Sequence, residues 1–579
     1  MENFYTDNKE IEKVIDAVGL EEVAELCEEG FRFAKECDFA PVDAADAIDN
    51  YKRALATCGE ICAKHIAPTA EETDRTGNVL NPDGSVTYAP GIAKAVKLLG
   101  ASGLSGCTIP YRLGGLNMPC TVLTACNEIV SRADAALMNI FGLQGIAETI
   151  NQFADENIKE EYIPKLCDGT YTGAMVLTEP DAGSDLQSVK TTAWQDADGN
   201  WFVNGVKRFI TNGCGDVLLV LARTEPEFSD GRGLSCLLVE KGPKVKVRRL
   251  EHKLGINGSP TCEMVFDDAP AKLVGLRKRG LITYVMSLMN GARVGISAQG
   301  TGIGEAAYRA ARDYASSRKQ FGVAIDEFPA VRELLCDMSA DLQSARLLAY
   351  YASKSVDLEA GLSKKFDSLK GTPEAQAVRA RMKKYAAFNK MLTPMAKYHA
   401  SEMSMRVSNG AVAVLGGSGY MKDYPVERHL RDARITTIYE GTSQLQVVAA
   451  IAGVTAGLYD EVVEDVLDGV DATAFGGAVA EVKALAAELG AAVEAVKENP
   501  GGKAYLDLYA RDLVDAAVGV VTGALFVRYA SRFPEKAPVL EYWIASKYPV
   551  LRGALARAKS GYDGAVSKFA EIAPAVSAE

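Results

Sequence analysis

The chain holds 12 cysteines but no Cys-x-x-Cys pair. Cys58 and Cys62 stand at helical i, i+4 spacing, yet no histidine or third cysteine completes a ligand pattern, so no metal site is expected. Scattered cysteines behave as small core residues in a reducing compartment, which points to the cytoplasm. Histidine is scarce, and His65, His252, His399 and His429 match no metalloenzyme spacing. Positive charge is in deficit: 63 Lys and Arg stand against 76 Asp and Glu, for a formal net charge of -13. That balance argues against a nucleic-acid surface and against a basic membrane-binding face. A long apolar run is missing too. The longest near the C-terminus lies between Asp515 and Arg528, short of the roughly 20 residues a helix needs to cross a bilayer, so no membrane span is expected. The opening residues, Met1 to Asp7, show neither the basic nor the apolar region of a signal peptide.

What is there is an ordinary soluble composition over 579 residues, 48% hydrophobic and 24% charged, enough for several domains. Residues 1–170 read as helical, with stripes such as Ile11, Val14, Ile15, Val18 and Tyr51, Leu55, Cys58, Cys62, Ile66. From residue 171 to 280 the period becomes strand-like. Asp198-Gly199-Asn200 between two such runs is a strong hairpin signal, and the segment reads as an antiparallel barrel or sandwich. Residues 281–457 return to helix as an antiparallel bundle. Polar residues from Glu359 to Lys370 are expected to interrupt it, with Thr372-Pro373-Glu374 opening the next helix. Residues 470–579 are Ala/Val-rich and read as an appended helical domain whose apolar faces must pack on something.

One stretch organises the chemistry. Arg431 to Tyr439 runs up to a single carboxylate, Glu440, followed by Gly441, Thr442, Ser443 and Gln444. A carboxylate at a bend before a new helix can face a cavity and act as a base, while Thr442 or Ser443 caps the helix. Other motifs fall at the domain junctions. Val176 to Asp185 carries Thr178, Gly183 and Ser184, whose hydroxyls and freed N–H groups suit a polar ligand. Phe209-Ile-Thr211 puts an aromatic beside a hydroxyl at a strand end. Arg318-Lys-Gln-Phe321-Gly offers a cation for pyrophosphate and an aromatic for stacking. Gly300-Thr-Gly302-Ile-Gly304 lacks the preceding strand of a dinucleotide loop and reads as small residues for close helix packing.

Taken together, Thr-Glu-Pro…Gly-Ser-Asp, Phe-Ile-Thr-Asn, Arg-x-x-Phe-Gly, Gly-Gly-x-Gly-Tyr and Tyr-Glu-Gly-Thr resemble the acyl-CoA dehydrogenase family, in family order, over about residues 45 to 455. The extra C-terminal domain resembles the longer bacterial subgroup that includes 3-methylmercaptopropionyl-CoA dehydrogenases. The resemblance implies a mainly α fold with a central β-barrel domain, a four-helix bundle and FAD between them. It implies that Met175, Leu177, Thr178, Phe209 and Thr211 line the flavin, with Gly183 and Ser184 near flavin and substrate. Arg318, Phe321, Gly416 and Gly417 match contacts to a neighbouring subunit's FAD, as in a homodimer or homotetramer, while Thr442 and Gln444 match diphosphate contacts. Asn290, Arg293, Tyr439 and Gly441 join Ser184 on the acyl-CoA side.

Phe328-Pro329 and Ala413 depart from the family pattern, at the adenine end of the FAD site. Some relatives place the base one residue before the equivalent of Arg293; here that residue is Ala292, which leaves Glu440. The implied reaction is α,β-dehydrogenation of an acyl-CoA, with Glu440 removing the α-proton while the β-hydrogen leaves as hydride to the flavin. Electrons then pass to an electron-transferring flavoprotein. The alternatives are an oxidase on the same fold and a non-catalytic homologue acting as a binding or assembly protein.

Overall fold

The computed structural model describes residues 2–576, apart from the side chain of Asn290. The chain is mainly helical up to Cys167, the barrel strands follow from Gly173 to Leu273, and helices resume to Ile572, with two short hairpins outside the barrel, Val79–Leu80 with Val86–Thr87 and Lys319–Gln320 with Val323–Ala324.

The strands are β1 (Gly173–Val176), β2 (Thr192–Gln195), β3 (Trp201–Thr211), β4 (Val217–Arg223), β5 (Leu234–Glu240), β6 (Val245–Leu250) and β7 (Thr261–Leu273). Five of them close on themselves in the order β4-β2-β3-β7-β5 and back to β4; β1 adds to β4 and β6 to β7. This is the expected barrel, but it is not wholly antiparallel. β1 runs parallel to β4, and a single parallel bridge, Thr192 to Arg223, joins β2 to β4. The cause lies where β1 and β4 begin. The Thr172 carbonyl accepts from the Asp216 and Val217 N–H groups at 2.7 and 3.1 Å, and Asp216 Oδ2 accepts from Thr172 N–H at 2.9 Å. Two strands pinned together at their first residues can only run the same way. The chain between them carries the Thr178–Ser184 turn out over the barrel rim.

Three long helices, Met286–Ser317, Pro329–Ser368 and Ala375–Leu415, and a shorter fourth, Ser443–Thr455, make the bundle. The polar stretch from Glu359 does not interrupt the second helix, which runs 40 residues. Its polar side chains face water, while Leu358 and Leu362 on the other face join the core with Leu26. Thr372 and Pro373 lie in a turn, and the third helix begins at Ala375. The glycines of the first helix serve packing: a Cβ at Gly300 would meet the Ala400 carbonyl at 2.7 Å, and one at Gly302 the Glu128 carbonyl at 2.3 Å. The first helix thus lies backbone to backbone against the third and against Cys120–Ala133 of the N-terminal region.

That junction is also bonded. Arg346 is 1% exposed and reaches Glu128 at 2.7 Å and Glu305 at 2.6 Å. Tyr350 donates to Glu128 at 2.9 Å. The two acids titrate in opposite directions. Burial raises Glu128, which has one arginine beside it, whereas Arg346 and Arg309 together hold Glu305 down at about 2 despite burial. Removing one partner of such a network strands the others, at about 3–5 kcal/mol.

Past Gly457, helices Gly476–Glu498, Gly502–Arg532 and Ala537–Ala558 form the appended unit. It packs on the same chain. Arg528 donates to the Ala17 carbonyl at 2.6 Å, Tyr529 to Glu10 at 2.9 Å, and Lys547 pairs with Asp341 at 2.9 Å. Gly502–Arg532 is longer and more apolar than the Asp515–Arg528 run suggests, enough to cross a membrane by length and composition, but 89% of its most apolar window is buried inside the protein.

Candidate active site

The chain leaves helix Val426–Thr436 and re-enters helix at Ser443. Between them Glu440 has φ +52° and Gly441 φ +87°. Two successive left-handed residues, one of them not glycine, need outside support. Gln446 Nε2 donates to the Glu440 and Gly441 carbonyls at 3.0 and 2.9 Å, and Lys397 Nζ donates to the Gly441 carbonyl at 2.7 Å. A Cβ on residue 441 would come within 2.6 Å of Gln446 Nε2, so the bend needs glycine for space as well as for angle. Thr442 caps the new helix through its Oγ1, which accepts from Leu445 N–H at 3.3 Å.

The bend turns Glu440 into a cavity of about 90 Å3 between barrel, N-terminal helices and bundle. Met175 and Thr211 line it from the barrel, Asn127, Met138 and Glu148 from the N-terminal region, and Leu288, Ala292 and Gly295 from the first bundle helix. Ala292 therefore faces the same space as Glu440. Tyr439 also lines it and donates to Asn139 at 3.0 Å and to Gln299. Gln299 in turn donates to Asn139 at 2.8 Å and to the Ala135 carbonyl at 2.9 Å.

Burial raises the Glu440 carboxyl to about 7, and Lys397 and Arg293 oppose that rise. Burial likewise lowers Lys397 to about 7, with Glu440 pulling it back up. Arg293 is lowered by burial and raised by Glu440. The result is an acid desolvated enough to be a useful base and held ionisable by two cations.

The other expected residues divide into two groups. Leu177 is buried, and Met175 packs beside it. The Thr178 carbonyl accepts from Arg208 N–H at 2.9 Å. Gly183 and Ser184 are exposed in the turn above, and a Cβ at Gly183 would touch Thr178 at 3.7 Å. Glu179 anchors this turn, accepting from the Lys190 and Thr191 N–H groups at 2.7 and 2.9 Å and pairing with fully buried Lys207 at 2.9 Å. Phe209, at φ +59°, is 54% exposed at the barrel rim. Met175 lines the cavity, as does Thr211; the others stand at the end of β1, on the turn after it and near the end of β3.

Arg318, Phe321, Gly416 and Gly417 do not reach the cavity. They are exposed at one end of the bundle, drawn near each other by the 3.3 Å contact of Tyr314 with Ser418. Phe321, at φ +53°, is 94% exposed. Gln444 is exposed on the first turn after the bend. The side chain of Asn290 lies outside those described.

Sequence reasoning missed Lys397, Gln446, Asn139, Gln299 and Glu148. Lys397 carried a signal: a lysine inside the apolar run Met391 to Ala400 must find a partner. Asn139 and Gln299 had none, because they meet each other and Tyr439 from distant parts of the chain, and Gln446 had none because its partners are backbone carbonyls of the bend.

Three segments match family models in succession: acyl-CoA dehydrogenase N-terminal domain over residues 49–170, middle domain over 174–269 and C-terminal domain over 279–455. An acyl-CoA dehydrogenase of Bacillus subtilis is 35% identical over 395 residues, 67% of this chain and 93% of that protein. The chain belongs to the acyl-CoA dehydrogenase family. Members of this family are FAD-dependent oxidoreductases acting on CH–CH bonds. A 3-methylmercaptopropionyl-CoA dehydrogenase of Ruegeria pomeroyi is 34% identical over 430 residues, covering 69% of each chain. The solved structure of Caenorhabditis elegans ACDH-11 in complex with C11-CoA superposes with a TM-score of 0.74 at 19% identity, over 90% of this chain and 89% of that one. That likeness is one of fold, and it reaches beyond the three matched segments.

Proposed function

We propose that the protein oxidises an acyl-CoA thioester to its 2,3-enoyl form, with Glu440 as the base. The carrying observation is the Glu440 carboxyl, raised to about 7 in a cavity it shares with Met175 and Thr211, with Arg293 and Lys397 as its electrostatic partners.

The barrel residues beside the cavity suit a flavin: the exposed ring of Phe209 offers a flat apolar face, Met175 an apolar contact, and the Thr178 and Thr211 hydroxyls polar ones, with the turn after β1 held by the Glu179–Lys207 pair. FAD, when bound, supplies the acceptor for the hydride leaving Cβ. Glu440 removes the proton from Cα, which the thioester makes weakly acidic. The Glu440 backbone N–H donates to no protein acceptor among the described residues and is the proposed donor to charge growing on the thioester oxygen. Tyr439, fixed by Asn139 and Gln299, walls the cavity on the same side and helps exclude water. Gln446 and Lys397 hold the bend so that the carboxylate meets Cα without reorganisation.

The exposed group at the bundle end, Phe321 with Arg318, Gly416 and Gly417, suits the FAD of a second subunit in a homodimer or homotetramer. Electrons leave to an electron-transferring flavoprotein in the cytoplasm. The test is spectroscopic. Purified protein carries about one FAD per chain and bleaches anaerobically with acyl-CoA, and an electron-transferring flavoprotein restores the colour faster than air. Colourless protein that cannot be reconstituted refutes the assignment, and reoxidation by air at the rate of turnover makes it an oxidase.

A further inference from the structure

The cavity holds a second carboxylate that the reaction does not use. Glu148 comes from helix Gly145–Phe153 and lines the same space as Glu440. Thr108 donates to its Oε1. Its Oε2 faces the first bundle helix, 4.0 Å from where a Cβ on Gly291 would stand. Gly291 lines the cavity as well, so that oxygen lies on the cavity side of the carboxyl. Burial raises Glu148 and the Thr108 bond opposes this; among the described residues no cation acts on it appreciably. Arg293 and Lys397 act on Glu440 and not on it. The nearby Asp357 is a different case, because the Cys120 and Thr121 N–H groups and the Thr121 hydroxyl satisfy it at 2.6, 3.0 and 2.7 Å.

A second polar group faces the same place. Asn127 is 3% exposed and lines the cavity, and among the described residues its Oδ1 has no hydrogen-bond partner. Elsewhere the wall is apolar: Leu123, Met138, Leu143, Ile146 and Leu288. A methyl-ended acyl chain reaching this end would cover Glu148 Oε2 without supplying a donor to it or to Asn127, at the cost of a buried unpaired polar group.

We propose that the cavity selects short acyl thioesters whose distal end carries a hydrogen-bond donor, a hydroxyl or an ammonium, received by Glu148 Oε2 with Asn127 beside it. This rests on the acyl-thioester reading above and adds the class of acyl group. Glu148 is then a specificity residue, apart from the base.

The test uses FAD-loaded full-length protein and anaerobic bleaching by butyryl-, pentanoyl- and hexanoyl-CoA, by their ω-hydroxy counterparts, and by 6-aminohexanoyl-CoA. For at least one length the donor-bearing chain is favoured in kcat/KM by about tenfold or more over the methyl-ended one, as expected where a site is built to bond a polar group. The better of the hydroxy and amino series tells whether Glu148 works as a neutral or a charged acceptor. Glu148→Leu reverses the preference through KM, and Glu148→Gln keeps the hydroxy series while losing the amino one. Direct calorimetric binding of the same thioesters follows the same order. Preference for the methyl-ended chain at every length in the unaltered protein overturns the proposal, whether or not the variants fold. So does a ratio that moves less than about threefold in Glu148→Leu. If no acyl-CoA of any kind bleaches the flavin, the reaction assignment has failed, which is a separate outcome.

Discussion

The cavity around Glu440 and the exposed end of the bundle around Phe321 were both marked by short motifs, yet the fold treats them in opposite ways. Around Glu440 the strained bend and the wall beside it have support within the chain: Gln446 and Lys397 for the bend, Asn139 and Gln299 for Tyr439. At the bundle end a left-handed phenylalanine stands 94% exposed, with one edge-on ring contact, to Phe328 at 6.2 Å. The lesson is that one chain carries a preorganised reaction centre, whereas the rim is built for something the chain does not itself supply.

The comparison can be broken from the inside first. Truncation after residue 470 removes the cover from helices Ser443–Thr455 and Pro329–Ser368, which the appended unit packs against, and is expected to yield aggregated protein. Soluble, fully active truncated protein, by size-exclusion and flavin assay, would show that the centre needs no such backing. Glu440→Gln keeps the side chain's shape and removes the base. Flavin reduction should fall by roughly 10²–10⁴-fold with FAD retained, measured in single turnovers.

Smaller effects separate support from chemistry. Lys397→Met removes a cation beside Glu440 and a donor to Gly441. The Glu440 carboxyl then rises further, so the half-point of the rate against pH moves upward and the rate at pH 7 drops by about tenfold. An unmoved half-point would make Lys397 a structural residue only. At the rim, Phe321→Ala should leave the intrinsic bleaching rate intact and weaken FAD retention by roughly threefold to tenfold, read by cofactor release on dilution. A changed bleaching rate with unchanged retention would erase the distinction between the two regions.

Much of this was legible in the sequence where the signal is local. The Asp198-Gly199-Asn200 turn does join β2 to β3, the glycines at 300 and 302 do mark close helix contacts, and the Tyr-Glu-Gly-Thr bend does open onto a cavity. What stayed hidden depends on residues far apart in the chain. Nothing near Arg346 announces Glu128 and Glu305 as its partners, nothing near Glu148 says that it faces Gly291, and the parallel pairing of β1 depends on bonds from Thr172 to Asp216, 44 residues on, and to Val217. Helix length was misjudged at Glu359 to Ser368, because surface polarity on one face resembles a break when the buried face is thin.

The account turns on Glu440 as a desolvated base, and the pH dependence of anaerobic flavin bleaching by acyl-CoA tests this most directly. The reactive form is the carboxylate, and burial has raised its pKa to about 7. Raising the pH therefore increases the ionised fraction, and the account predicts a rate that climbs from pH 5, reaches half its plateau at about 7 and levels off roughly one unit higher. A rate that is flat from pH 5 to 9, or that falls as pH rises through 7, would contradict it.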